Sequence, residues 1–205
     1  MTKQSTPSQN KGRITLLIII GIFAIPLAVA WIWSANTDQF QPSGTTNKGT
    51  LIEPPRPISL DDSIELAGFA AEDPLRRIWT LIYVANQDCD SQCQDRIYRL
   101  RQVRMALGPQ RMDRVQGLLL NRGPLSAATQ AVLDKDHQGL MVADLNQTQR
   151  INNALNDLFG SEFEQLGQIY LVDPFGNLMM YYSGEASAYS IKADLKRLLK
   201  VSRAG

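Results

Sequence analysis

The longest apolar stretch of the chain lies near its N-terminus, from Ile14 to Trp33, and contains no charged residue. A helix needs about 20 apolar residues to cross the hydrocarbon core of a bilayer. Trp31 and Trp33 stand at the far end of the stretch, where an aromatic belt is expected. A cleaved signal peptide would have a shorter apolar region of about 7–15 residues, followed by small residues at the cleavage site. We therefore predict an uncleaved transmembrane helix over residues 14–33, with cleavage within 34–36 as the alternative.

Beyond residue 48 the apolar pattern switches repeatedly between strand-like and helix-like segments. Short apolar runs predict strands, and apolar residues repeated every three or four positions predict amphipathic helices. The predicted strands are 77–84, 115–121, 139–145, 168–172 and 178–182, and the predicted helices are 93–107, 124–133, 147–159 and 186–201. An extended, proline-rich segment from Gly49 to Pro57 precedes them. Strands separated by helices predict an α/β domain with a mixed central sheet covered on its faces.

Charge sets the predicted orientation of the chain. It carries 21 Lys and Arg residues against 20 Asp and Glu, and this near balance argues against a nucleic-acid partner. Residues 1–13 contain three cations and no acid, so we expect this tail to stay in the cytoplasm. Residues 34–48, rich in small polar side chains, predict a linker, and residues 49–205 form a domain beyond the membrane. In a bacterial inner membrane that side is the periplasm, where cysteine pairs can be oxidised.

The two cysteines of the chain, Cys89 and Cys93, follow an apolar strand and open a helix. The N-terminus of a helix favours thiolate over thiol because of its partial positive charge. Two thiols four residues apart can close a disulfide or hold one soft metal ion. As a structural staple the pair would add little, because it closes a very short loop. A cysteine pair on the first strand-to-helix turn of such a sheet is the thioredoxin arrangement.

Three segments show a resemblance to a known family. They are 47–52 with the proline-rich stretch after it, Cys89-x-x-x-Cys93 after the strand residues 81–84, and 169–176, Ile-Tyr-Leu-Val-Asp-Pro-Phe-Gly. On these motifs the chain resembles the Sco/SenC proteins, membrane-anchored thioredoxin-fold factors for copper insertion into cytochrome c oxidase. It resembles more narrowly the divergent Sco-like members encoded beside bacterial oxidase genes.

The resemblance implies that Cys89 and Cys93 are the redox pair and the ligands of Cu(I). It also implies an oxidase subunit or another oxidase assembly factor as the partner. The family's third copper ligand is a histidine shortly before the late strand, but the matching position here is Gln165. The proline that the family usually carries within or beside the cysteine pair is also missing, so its copper site does not transfer whole.

Other residues could contribute to a cysteine site, but each has a simpler interpretation. His137, the single histidine, is expected in a solvated turn rather than as a substitute ligand. The methionines are expected to fill the core rather than bind Cu(I). Asp88 and Asp90 would raise the pKa of Cys89, although Asp90 is also a suitable helix cap. The arginines from Arg96 to Arg114 predict a solvated helix face, with docking to an acidic partner or to lipid headgroups as alternatives.

Three functions remain open from the sequence. The first is a membrane-anchored assembly factor for the copper centre of a haem-copper oxidase, acting through Cu(I) binding or thiol–disulfide exchange at Cys89 and Cys93. The second is an enzyme, a thiol–disulfide oxidoreductase in which Cys89 attacks the client. The third is a non-catalytic docking module that keeps the thioredoxin fold.

Overall fold

A computed structural model describes residues 9–35, 46–60, 74–85 and 89–202. The N-terminal tail up to residue 8, most of the predicted linker (36–45) and Asp88 lie outside these residues. The chain divides into two compact units, Met1–Thr46 and Asn47–Gly205.

The first unit contains one long helix, α1 (Gln9–Ala35), with Pro26 inside it. Its stretch Gly12–Ile32 spans 21 residues and is long and apolar enough to cross a membrane, and none of its most apolar part is buried. A helix that is apolar all round and that no described residue buries suits a lipid environment. By length and composition α1 fits a single-pass membrane anchor.

The second unit is built on a six-stranded sheet with the strand order β1-β6-β5-β2-β3-β4. Its strands are β1 (Thr50–Pro57), β2 (Trp79–Ala85), β3 (Val115–Asn121), β4 (Leu140–Asp144), β5 (Ile169–Val172) and β6 (Asn177–Tyr182). Strands β2, β3 and β4 run parallel, whereas β5 pairs antiparallel with β2, and β6 pairs antiparallel with both β5 and β1. The predicted mixed sheet is confirmed, and the proline-rich segment 49–57 becomes its edge strand.

Five helices accompany the sheet in the described part of the second unit. They are α2 (Ser91–Ala106), α3 (Pro109–Met112), α4 (Ala127–Asp136), α5 (Gln149–Phe159) and α6 (Ala188–Val201), together with a 3-10 turn at Phe163–Leu166. The sequence predicted α2, α4, α5 and α6 to within about three residues at each end. It missed α3 and the 3-10 turn, because elements of four residues are too short to show a hydrophobic period.

Apolar side chains form a core on each face of the sheet. Along β2, Leu81 and Tyr83 point to the face covered by α2 and α6, and Ile82 and Val84 point to the face covered by α5. All seven residues of β2 are buried, which is expected of a strand covered on both sides. This strand ends at Ala85, shortly before the cysteine pair, so the site follows a strand that is buried along its whole length.

The start of the second unit is fixed by a buried carboxylate on α6. Asp194, only 2% exposed, accepts hydrogen bonds from the backbone N–H groups of Lys48 at 2.8 Å and Gly49 at 3.0 Å. The Tyr182 hydroxyl donates to the same oxygen at 3.3 Å. The close packing requires glycine at position 49, because a Cβ there would lie 2.6 Å from atoms of Met180 and Tyr182. The segment that follows the linker is therefore attached to α6.

Candidate functional site: a disulfide at a helix N-terminus

Cys89 and Cys93 form a disulfide, with an S–S distance of 1.95 Å and a Cα–Cα distance of 5.1 Å. Cys89 lies in the connection between β2 and α2, and Cys93 lies in the first turn of α2. Of the two pairings open from the sequence, a disulfide or a metal-bridged pair, this state of the protein is the disulfide.

The helix N-terminus beside the disulfide is capped as the sequence predicted. Asp90 is the N-cap residue, and its Oδ1 accepts the backbone N–H of Cys93 at 2.8 Å. Such a cap satisfies one of the free N–H groups at the start of the helix. The Asp90 carboxylate therefore has a structural role, and its negative charge offsets part of the positive end of the helix dipole.

The two sulfur-bearing residues differ in exposure. Cys93 is 3% exposed and packs in the core with Tyr83 and Ile97, whereas Cys89 is only half-buried at the edge of that core. The predicted apolar face of α2, from Cys93 through Ile97 to Leu107, is confirmed as buried. An incoming thiol can therefore approach Cys89 more readily than Cys93.

The side chain of Arg96 fills the space between α2 and two glycine turns. A Cβ on Gly167 would lie 2.4 Å from the Arg96 Cζ, and one on Gly184 would lie 3.0 Å from its Nη2. The same Gly184 Cβ would come within 2.9 Å of the Gly167 carbonyl oxygen. Glycine at these two positions lets the backbones before β5 and after β6 approach each other and the guanidinium. Arg96 Nε is buried and has no hydrogen-bond partner among the described residues.

Tyr83, near the end of β2, contacts the Arg96 guanidinium and also packs in the core with Cys93. Burial raises the pKa of the Tyr83 hydroxyl, and a hydrogen bond with the Arg96 guanidinium opposes that rise. Arg96 Nη2 also donates to the Gln92 side-chain oxygen at 3.4 Å. A permanent positive charge thus stands one helical turn beyond Cys93, where it favours anionic species at the site.

Two further arginines hold the surrounding loops in place. Arg99 Nη1 donates to the Gly184 carbonyl at 2.6 Å and to the Ala186 carbonyl at 3.1 Å, and Arg99 also pairs with Asp95. Arg122, after β3, pairs with Glu164 of the 3-10 turn. The prediction of a solvated arginine face is therefore wrong for Arg99, whose guanidinium donates to backbone carbonyl groups after β6.

The described residues offer no third ligand beside the cysteines. They contain no group of three or more His, Cys, Asp or Glu side chains arranged to hold a metal ion. Gln165, at the position where the resemblance places a histidine, is exposed on the 3-10 turn. A metal at this site would be held by two thiolates, a coordination that Cu(I) accepts through its preference for soft ligands.

His137 is not a substitute ligand. It lies before β4, whereas Cys89 follows β2, and these strands are parallel through β3. The two residues therefore lie at opposite ends of the parallel strands. The predicted solvated turn is also wrong, because His137 is only 9% exposed. Burial lowers the pKa of its imidazole, and the neighbouring Arg101 cation lowers it further.

Sequence reasoning found the cysteines and the cap, but it missed Arg96, Gly167 and Gly184. Arg96 stands three residues after Cys93, a spacing that places both on neighbouring parts of one helix face. That spacing could have indicated that Arg96 lies beside the cysteine pair. Nothing in the sequence indicated that two turns 17 residues apart would close on its side chain.

Solved structures share the fold over most of the second unit. Apo Sco1 from Thermus thermophilus aligns with a TM-score of 0.53 and 18% identity, covering 76% of this chain and 99% of that one. Yeast Sco1 with copper bound aligns with a TM-score of 0.52 and 14% identity, covering 78% and 96%. A thiol:disulfide interchange protein of the thioredoxin family from Chlorobium tepidum aligns with a TM-score of 0.54 and 12% identity, covering 71% and 97%.

These likenesses confirm the predicted thioredoxin-like fold and the resemblance to Sco proteins at the level of the fold. No curated protein matches the chain. The model of one protein family matches residues 79–202, which are 124 of the 205 residues and include the cysteine pair. The chain belongs to the family of transmembrane-like, thioredoxin-like C-terminal domains.

Proposed function

We propose that this protein is a membrane-anchored thiol–disulfide exchange protein whose redox pair is Cys89 and Cys93. The observation that carries the proposal is the disulfide at the N-terminus of α2, with one half-buried and one buried cysteine. This asymmetry provides an accessible sulfur for the client and a protected sulfur that resolves the mixed disulfide.

The exchange conserves atoms and electrons without a further cofactor. In the reduced protein the Cys89 thiolate attacks a client disulfide, forming a mixed disulfide and releasing one client thiolate, which takes up a proton. Cys93 then loses its proton and attacks the Cys89 sulfur, releasing the second client thiolate. The client gains two electrons and the protein is left as the Cys89–Cys93 disulfide, which is the state described above. A thiol reductant outside the protein must then return it to the dithiol.

Arg96 supports both steps electrostatically. Its guanidinium is held by Tyr83, Gln92 and the two glycine turns, so it does not have to reorganise when a thiolate forms. A fixed cation one helical turn from Cys93 would stabilise the thiolate that leaves the disulfide. The capping carboxylate of Asp90 acts in the opposite direction, so we expect a moderately rather than strongly activated Cys89.

Single cysteine variants test the proposal. The full chain, reduced and held in detergent micelles, is mixed with a fluorescent disulfide-bonded peptide. Cys93→Ser should accumulate a mixed disulfide through Cys89, because the resolving thiol is missing. Cys89→Ser should accumulate far less, because its remaining thiol is buried. Equal trapping by both variants, or by neither, would reject the assigned roles.

The client that we propose is the subunit that carries the copper centre of a haem-copper oxidase. The proposal draws on the Sco/SenC resemblance and on the Sco1 structures among the fold neighbours, one of them with copper bound. The protein would then sit in a bacterial inner membrane with its N-terminus in the cytoplasm and its second unit in the periplasm. It would act on an oxidase subunit or together with another oxidase assembly factor.

A second candidate function is delivery of Cu(I) as cargo by the reduced pair. The two cysteines are the donors that favour it, since thiolates bind Cu(I) strongly and two are sufficient. A titration of the reduced full chain with Cu(I) against a strong chelator tests it, with Cys89→Ser/Cys93→Ser as the control. Cysteine-dependent binding of one Cu(I) supports delivery, and no binding leaves exchange alone.

The non-catalytic docking module is separated from both by the same double variant in cells. If oxidase activity is unchanged when Cys89→Ser and Cys93→Ser are combined, neither cysteine function holds. Loss of activity that added copper restores would favour delivery, and loss that added reductant restores would favour exchange.

A further inference from the structure

Positive charge is concentrated on the two helices that cover one face of the sheet. Helix α2 carries four arginines and α6 carries four lysines or arginines, which are eight of the 21 cations in the chain. The same helices hold two of the 20 acidic residues, Asp95 and Asp194. Asp95 is paired with Arg99 and Asp194 is buried, so neither neutralises the outer surface.

Six of the eight cations on these helices fall into two groups. Arg99 and Arg104 donate inward to backbone carbonyl groups, Arg104 to the carbonyl of Val115 at 2.8 Å. Another group points outward along the neighbouring surfaces of α2 and α6, and we call it the cationic face: Arg101, Lys192, Lys196 and Lys200. On α6 its three lysines recur at intervals of four residues, which places them on one side of the helix.

An open groove of about 500 Å³ runs between α2 and α6 beside the cationic face. Its walls include Tyr98, Met105 and Tyr189, which are 45%, 60% and 71% exposed. Lys192 Nζ lies 5.1 Å from the centre of the Tyr189 ring. Exposed aromatic rings with cations beside them are typical of surfaces that meet the headgroup region of a membrane, because the ring enters the interface while the charge contacts phosphate.

The covalent connection to α1 limits how far this face can lie from a bilayer. Residues 36–46 separate the end of α1 at Ala35 from the start of the second unit at Asn47, and 11 residues can reach at most about 40 Å. Lys48 and Gly49, directly after it, are bonded to Asp194 on α6. Since α6 also carries three of the four residues of the cationic face, tethering gives this face a high effective concentration at the membrane.

We propose that the cationic face docks onto anionic phospholipid headgroups of the membrane that holds α1. Each outward cation near an anionic surface adds to the attraction, and Tyr98 and Tyr189 insert at headgroup level. Helix α1 and the positive charge of the cationic face support this docking, which does not depend on the chemistry of the cysteines.

The test uses the full chain in nanodiscs made of zwitterionic lipid alone or with anionic phospholipid added. The rate at which an amine-reactive acetylating reagent modifies Lys196 and Lys200 is measured by mass spectrometry. The test variant is Arg101→Gln/Lys192→Gln, which removes two positive charges from the face. The matched control is Gln147→Glu/Asn153→Glu, which changes the net charge by the same amount at or near α5, on the other side of the sheet.

We expect severalfold slower acetylation of both lysines in anionic discs than in zwitterionic discs, and faster acetylation when salt is raised. Removing two cations should weaken docking about 30-fold and abolish the difference between lipids, whereas the control variant should keep it. Equal acetylation rates in the two lipids would overturn the proposal. An acidic protein would then be the better candidate partner for the cationic face. A control variant that loses protection as fully as the test variant would also overturn it, since the response would then follow net charge alone.

Discussion

Reduction of the Cys89–Cys93 disulfide should leave the domain folded. An exchange protein must be stable in both redox states, so the disulfide cannot be what holds its fold together. The bond closes a loop from residue 89 to residue 93. In the loop-entropy description, a loop of about five residues constrains the unfolded chain by about 2 kcal/mol at 25 °C. Cys93 packs in the core with Tyr83 and Ile97, and reduction of the disulfide itself removes no apolar group from that core.

A loss of about 2 kcal/mol is small beside the free energy of unfolding of ordinary domains, about 5–15 kcal/mol. We therefore expect urea unfolding of the reduced protein to remain cooperative, with a midpoint about 1 M lower than that of the oxidised protein. The fluorescence of Trp79, which is buried in the core, reports the transition. Trp31→Phe and Trp33→Phe remove the signal of the apolar helix.

The matched control is Cys89→Ala/Cys93→Ala, whose unfolding should not respond to reductant. If reductant alone unfolds the domain, or lowers the free energy of unfolding by more than about 4 kcal/mol, the disulfide is a structural staple. Thiol–disulfide exchange at this site would then be ruled out.

Three further predictions concern the surroundings of the site. Gly184→Ala should lower the free energy of unfolding by about 1–3 kcal/mol in urea, because its methyl group would lie 2.9 Å from the Gly167 carbonyl oxygen; unchanged stability would show that the two turns can separate freely. Asp194→Asn should cost about 1–3 kcal/mol by weakening its charge-assisted hydrogen bonds, with faster hydrogen exchange at the Lys48 and Gly49 amides as the specific readout. The folded pKa of His137 is below its ordinary 6.5, so the unfolded state takes up the proton first and stability should fall as the pH drops from about 7 towards that lower pKa. His137→Gln should remove this part of the pH dependence of the urea midpoint, and a wild-type midpoint that rises relative to the variant on acidification would contradict the assignment.

The sequence predicted the fold because its strongest patterns were local. The buried run of β2 and the period of α2 follow directly from side-chain hydrophobicity, and both were assigned within about two residues. The position of the cysteines on the strand-to-helix turn then followed from chain order alone. The N-cap role of Asp90 was also local, since a cap is recognised three residues before the N–H that it accepts.

The remainder of the site depends on contacts between distant segments. Gly167 and Gly184 approach Arg96 only because β5 and β6 form a hairpin beside β2. His137 is buried because it packs against α2 near Leu100 and Arg104. The polar residues around His137 in the sequence gave no sign of this contact. Residues whose roles arise from such tertiary contacts carry no periodic signal, so the sequence indicated the cysteine pair without indicating Arg96.

The most direct test of the account is the order in which the two thiols react after reduction. The full chain in micelles is equilibrated with dithiol reductant of graded potential, briefly alkylated, and the modified cysteines are quantified by mass spectrometry. The account predicts a single two-electron transition, with Cys89 alkylated much faster than Cys93 as the disulfide opens. A disulfide that strong reductant leaves intact in the folded protein, or faster alkylation at Cys93, would contradict it.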